Sequence, residues 1–176
     1  MDLFFRPIKE NDSLLPSTVS KFIGSLEKAN QIKVAEIDPQ FADGKALSQA
    51  YNVPIEMEYN CLVVEAKRQK NKQLAAVLVP REKRINMNAT LKRPLNASKV
   101  SFANLKEVLE KTTMEFGSIT PVGLPKDWPI LVDKSVQEQS EIIVGGGYVH
   151  SKLKISVESL QAFPNEVLFI EVLAKD

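Results

Sequence analysis

Hydrophobic positions along the chain fall into short segments with two different periods. Val19, Phe22, Ile23 and Leu26 recur at steps of three and four, one apolar stripe of a helix that Ser17 caps and that runs to about Asn30. Residues 32–37 read as a short strand. Residues 43–51 read as a second helix, stopped by Asn52 and Pro54. Met57, Tyr59, Cys61 and Val63 then alternate with Glu58, Asn60, Leu62 and Val64, which predicts a strand with one apolar face. Residues 74–79 are apolar without a break, as expected of a strand covered on both sides. The polar stretch 67–72 between them predicts a hairpin.

Further on, residues 88–95 suggest a short helix. Ser101 is expected to cap a longer one, with Phe102, Leu105, Val108 and Leu109 inward and Glu107 and Lys111 paired at i, i+4. Residues 116–126 form a loop rich in Gly and Pro. Short strands are predicted at 130–132, 141–144 and 153–155, a brief helix from a Ser156 cap to Leu160, and an apolar strand at 167–173. Strands and helices mix without regular βαβ alternation. The expected fold class is therefore α+β, with a mixed, barrel-like β-sheet flanked by helices.

Charge changes this picture locally rather than globally. The 176 residues carry a net charge of only +1, yet the stretch 67–93 holds nine basic residues (Lys67, Arg68, Lys70, Lys72, Arg81, Lys83, Arg84, Lys92, Arg93) against Glu82 alone. Such a stretch is either a well-solvated hairpin and loop or a local footprint for a polyanion. The length suits one compact domain, with residues 1–40 as a helix-and-strand extension packed on a domain spanning 41–176. A single cysteine, Cys61, excludes an internal disulfide and fits a reducing compartment. The apolar patch Leu3, Phe4 and Phe5 is broken by Arg6 and Lys9. No apolar run approaches the roughly 18 residues of a membrane span, so a cytoplasmic protein without a membrane partner is expected.

Candidate chemistry is narrowed mainly by what is missing. His150 is the only histidine and Cys61 the only thiol, so one chain cannot assemble a Cys/His zinc site, and neither metal nor cofactor is expected. A Cys61–His150 pair is conceivable, but a lone cysteine in a strand reads first as packing. Gly145, Gly146 and Gly147 follow an apolar strand without the spacing of a dinucleotide loop. They permit a tight turn or a close backbone approach. Gly117, Ser118, Ile119, Thr120, Pro121, Val122 and Gly123 form a loop in which a flexible Gly precedes a fixed Pro. It is an ordinary connection, or a rigid row of amide donors able to hold a carbonyl or carboxylate oxygen.

The order of these segments from Leu47 to Leu160 resembles the YbaK/prolyl-tRNA-synthetase-associated (ProRS-associated) family. The resemblance is carried by Leu47 to Val53 and by Asn60-Cys61-Leu62-Val63-Val64. It continues through Thr113 to Gly123, Ile130 to Ser135, Ile142 to Gly147 and Leu153 to Leu160. It implies that family's fold and a trans-acting aminoacyl-tRNA deacylase, which hydrolyses the ester of mischarged tRNA where a synthetase pocket discriminates weakly. It further implies aminoacyl-tRNA as partner, possible association with a synthetase, and no need for histidine, cysteine or metal, the terminal adenosine's hydroxyl assisting water.

By that resemblance the catalytic group would be Asn60 with Gly117, Ser118, Ile119, Thr120 and Pro121. Asp133, Gly145, Gly146 and Gly147 would complete the substrate pocket. Lys67, Arg68, Lys70, Lys72, Arg81, Lys83 and Arg84 would meet tRNA phosphates. One departure stands out: the family's strand carries lysine where this chain has Asn60. That favours an alternative, a catalytically degenerate member that binds tRNA or an aminoacyl ligand without turnover.

Overall fold

The computed structural model describes residues 1–172. In chain order the elements are β1 (Arg6–Pro7), α1 (Ser17–Gly24), β2 (Ile32–Glu36), α2 (Gly44–Tyr51), β3 (Tyr59–Arg68), β4 (Asn71–Pro80) and α3 (Met87–Thr90). There follow β5 (Lys99–Phe102), α4 (Leu105–Thr112), β6 (Ile130–Asp133), β7 (Glu141–Gly145), β8 (Ser151–Ser156), α5 (Val157–Leu160) and β9 (Val167–Ile170). They build two sheets, one ordered β1-β2-β8-β7 and the other β5-β3-β4-β6-β9. β4, β6 and β9 run parallel to one another, and every other neighbouring pair is antiparallel. This is the mixed α+β architecture expected from the sequence. The sheets do not close into a barrel; a bridge between Glu58 and Ile143 joins them along one seam.

The β3–β4 hairpin is the frame of the molecule, paired over its whole length from Tyr59–Pro80 to Arg68–Asn71. Its apolar run behaves as predicted. Leu74, Ala76 and Leu78 enter the core between the sheets with Cys61, Val34 and Leu153. Ala75, Val77 and Val79 enter a second core with Leu91, Leu95 and Leu131. Burial on both faces explains why no polar residue interrupts the run.

Several local expectations are corrected. Ser17 is the first residue of α1, not its cap; Pro16 precedes it and no side chain caps that end. The helix ends at Gly24 rather than near Asn30, where glycine weakens it and Ser25 turns back onto Phe22 and Lys21. Met57 lies in a 3-10 turn (Ile55–Met57), so β3 starts later than drawn. The hairpin turn is only Gln69 and Lys70, with Gln69 at φ +54. The helix expected over 88–95 is the single turn α3.

The largest difference concerns Ser101. It belongs to β5, an edge strand pairing with β3, and Phe102 points outward, 63% exposed. Asn104 caps α4 instead, its side chain accepting from Glu107 N at 3.1 Å. Leu105 is exposed too, whereas Val108 is buried and Glu107 pairs with Lys111 at 2.9 Å as expected. Of the strand expected at 167–173, Val167–Ile170 is observed, and Leu173 lies outside the described residues. Among the described residues no helix is long and apolar enough to cross a membrane.

Candidate functional site

The loop between α4 and β6 is held from below. Ser118 O accepts from Gly147 N at 2.8 Å, and Glu115 N donates to Gly147 O at 2.7 Å. Ser118 Oγ donates to Tyr148 O at 2.8 Å and accepts from Gly146 N at 3.2 Å. The glycine run can lie this close because it has no Cβ: one on Gly145 would sit 2.7 Å from Ser118 O, and one on Gly146 2.0 Å from Ser151 Oγ. At its far end Gly123, at φ +92, rests on the backbone of Thr18 and Val19 in α1. Ser118, Thr120, Pro121 and Val122 are buried, so the loop is clamped along its length.

This clamping sorts the loop's amides. Ser118 N donates to Glu115 O at 3.1 Å, Thr120 N faces Met114 Sδ at 3.5 Å, and Pro121 has no N–H. The amides of Gly117 and Ile119 have no acceptor among the described residues. Both residues line a cavity of about 380 Å³. Two free donors on a stiffened backbone at the wall of a hollow is the arrangement that receives a carbonyl oxygen or an oxyanion.

Opposite the loop the cavity is walled by Asn60, Cys61, Leu62 and Val63 of β3 and by Arg81. The Asn60 side chain makes no hydrogen bond among the described residues. Asn60 pairs with Val79, and the register continues past β4, because Arg81 N donates to Glu58 O at 2.9 Å. Arg81 is therefore the diagonal cross-strand neighbour of Asn60 on the same face of the sheet. Its guanidinium is fixed by Asp43 at 2.8 Å and lies over Gly44, where a Cβ would come 3.0 Å from Arg81 Cδ. The cavity thus contains a held cation although residue 60 carries none. Cys61 takes no part as a nucleophile: burial pushes its thiol up to about 12.

Other anticipated residues lie elsewhere. Asp133 is 3% exposed and spends both carboxylate oxygens internally, on Ser135 N at 3.0 Å and Val172 N at 2.9 Å. It borders a different hollow, of about 880 Å³, with Asn86 and Thr90. Gly145, Gly146 and Gly147 support the loop rather than line the cavity. The basic stretch is split by the hairpin: Lys67, Arg68, Lys70 and Lys72 sit at its tip, and Arg81, Lys83 and Arg84 at its base. Ten residues at about 3.4 Å each separate the two ends by roughly 30 Å. At the tip Lys67 pairs with Glu65 at 2.9 Å, and Lys72 with Glu65 at 3.0 Å and Glu107 at 2.8 Å. Size does not mark the site, since a larger hollow of about 690 Å³ lies beside α1, away from the editing-domain loop.

Behind Arg81 lies a buried charge cluster that sequence reading missed. Glu58 is 1% exposed, and neither carboxylate oxygen has a hydrogen-bond partner among the described residues. Burial pushes its carboxyl up to about 7 against the opposing pull of Lys152 and Arg81. Lys152, equally buried, is pushed down to about 8 by burial and by Arg81, and its Nζ donates to Ala42 O at 3.0 Å.

A carboxyl whose folded value exceeds its unfolded 4.5 costs nothing below that pH. The cost grows as pH rises through 4.5 and is complete above 7. The gap corresponds to about 3 kcal/mol. Glu58→Gln should therefore remove a fall of about 2–3 kcal/mol in unfolding free energy between pH 5 and pH 8. Denaturant titrations at the two pH values check this, and parallel behaviour of variant and wild type would refute it.

Comparison with known proteins identifies the class. Residues 38–163 match the aminoacyl-tRNA editing domain, and the chain belongs to that family. A solved structure described as a "putative trans-editing enzyme for prolyl tRNA synthetase" is 22% identical. It superposes with a TM-score of 0.70, the match covering 89% of this chain and 98% of that one. The hypothetical protein APE2540, also 22% identical, superposes with a TM-score of 0.73 over 87% of this chain and 98% of its own. Both likenesses concern the fold.

Proposed function

We propose that this chain is an aminoacyl-tRNA deacylase that acts in trans in the cytoplasm, on tRNA carrying the wrong amino acid. The observation that carries this reading is the pair of unpartnered amides, Gly117 and Ile119, on a cavity inside an editing-domain fold. The ester carbonyl lies against those amides. Water adds to its carbon, and the oxygen that becomes negative accepts their two N–H groups. The bond to the ribose oxygen then breaks, that oxygen gains the proton lost by water, and free amino acid and tRNA leave. One such donor is worth about 10²–10³ in turnover.

Asn60 and Arg81 divide between them the hydrogen-bonding and the charge that the resembled family's lysine combines. Arg81 faces the anionic side of the substrate, and the nearby Lys83 and Arg84 meet the acceptor-strand phosphates. The tip lysines lie too far off and are partly neutralised by Glu65 and Glu107. Binding should weaken steeply with salt.

The test is incubation with Ala-, Cys-, Ser- and Thr-charged tRNA under single-turnover conditions. Release of amino acid from at least one supports the proposal. Salt-dependent binding of tRNA with no release from any would favour the second reading, a binding module without turnover, for which Asn60 in place of lysine is the specific motive.

A further inference from the structure

We infer that the mouth of this cavity is a stacking platform for the terminal nucleobase of the acceptor strand, built by Phe102 and Phe116 with Leu105 beside them. The inference rests on the deacylase reading and adds to it the part of the substrate that the rim recognises. Among the described residues five large apolar side chains are exposed: Met1, Phe4, Phe102, Leu105 and Phe116. Three of the five line this one cavity, at 63%, 43% and 71% exposure. They come from three separate places, the end of β5, the start of α4 and the loop before Gly117, so no single amphipathic element accounts for them. Exposed aromatic surface gathered at one opening marks a recognition site.

Chemistry selects the occupant. If the ester carbonyl sits at Gly117 and Ile119, the amino-acid side chain meets the apolar wall of Cys61, Val63 and Val108. The alcohol half of the ester, a ribose bearing a base, must then leave through the mouth. A nucleobase offers a flat apolar face that stacks on phenylalanine, and the attached sugar-phosphate is anionic. Arg81, lining the same cavity, supplies a complementary charge. Phe116 directly precedes Gly117, so a base resting on it holds the ester in register with the first free amide.

The experiment compares two short RNAs ending in ACCA, one intact and one with an abasic 3′ residue, titrated into the whole chain. The intact RNA should bind roughly tenfold or more tightly, and the double variant Phe102→Ala/Phe116→Ala should lose that advantage. Both side chains are exposed, so thermal melting should show the variant folded. Phe116→Trp provides an independent check: it should retain the advantage, and its indole emission should be quenched by the intact RNA only, Trp128 being buried.

Equal binding of the two RNAs by wild type, or an advantage that survives in the double variant, overturns the inference. If the alanines instead abolish self-association or capture of a synthetase, the rim is a protein interface and the inference is wrong. The two proposals fail separately. Amino-acid release without a base advantage removes only the platform, and a base advantage without release removes only the deacylase.

Discussion

Gly145→Ala is expected to lower deacylation by at least about a hundredfold and to cost about 1–3 kcal/mol of stability. The added methyl would lie 2.7 Å from Ser118 O, 2.9 Å from Ser118 C and 3.1 Å from Ile119 O. These are backbone atoms and cannot rotate away. Nor can the loop shift as a whole, because Ser118 is tied to Gly147 and Tyr148 on that side. Overpacking of this kind is relieved by local distortion at Ser118 and Ile119, and a displacement of a few tenths of an ångström there misaims both free amides.

Two other glycines separate the causes. A Cβ on Gly117 meets nothing within 4 Å, but φ is +87, so Gly117→Ala adds strain without a clash and should have a smaller effect on stability. Gly24, with open space and no unusual φ, should accept alanine without loss. Melting curves and single-turnover rates on the three variants check the order. Equal rates for Gly145→Ala and wild type would mean that the loop position is not what the reaction uses.

Arg81→Gln is expected to reduce kcat/KM about 10–100-fold while leaving the fold intact. Asp43, its partner, is 91% exposed and loses only a surface ion pair, and the buried Glu58 behind Arg81 keeps the opposing charge of Lys152. What disappears is the cation of the cavity, and a hydrogen bond to a charged group is worth about twice a neutral one. Adding Asn60→Lys to Arg81→Gln should then restore most of the activity, since the two positions are diagonal neighbours on one face. Additive losses in the double variant would show that the charge at this place is not the relevant quantity. Rates for the four members of the cycle provide the check.

The sequence made legible those features whose cause is local. The alternation through Tyr59, Cys61 and Val63 and the unbroken apolar run 74–79 follow from burial on one face and on two. The Gly-x-x-x-Pro loop was legible only as one of two things, an ordinary connection or a rigid donor row, because Gly and Pro set their own backbone but not their neighbours' partners. What escaped depended on segments distant along the chain. Ser101 and Asn104 are both plausible caps, and only the pairing of β5 with β3 decides for Asn104. Lys152 and Lys154 look equivalent, yet one is 3% exposed because it faces the sheet seam behind Arg81. Glu58 read as the polar partner in an alternation, and its burial follows from the bridge to Ile143. The glycine run was visible as permitting close approach. That the approach is to Ser118, 28 positions away, is a property of the fold. Arg81 counted as one of nine basic residues until register placed it beside Asn60.

The central claim is that the main-chain N–H groups of Gly117 and Ile119 receive the carbonyl oxygen. Amide NMR with an alanyl-adenosine analogue, its ester replaced by a non-hydrolysable amide, tests this directly. The account predicts large downfield proton shifts at Gly117 and Ile119, with the Ser118 signal, already bonded to Glu115, moving less. Saturable binding that leaves the Gly117 and Ile119 signals in place would contradict it.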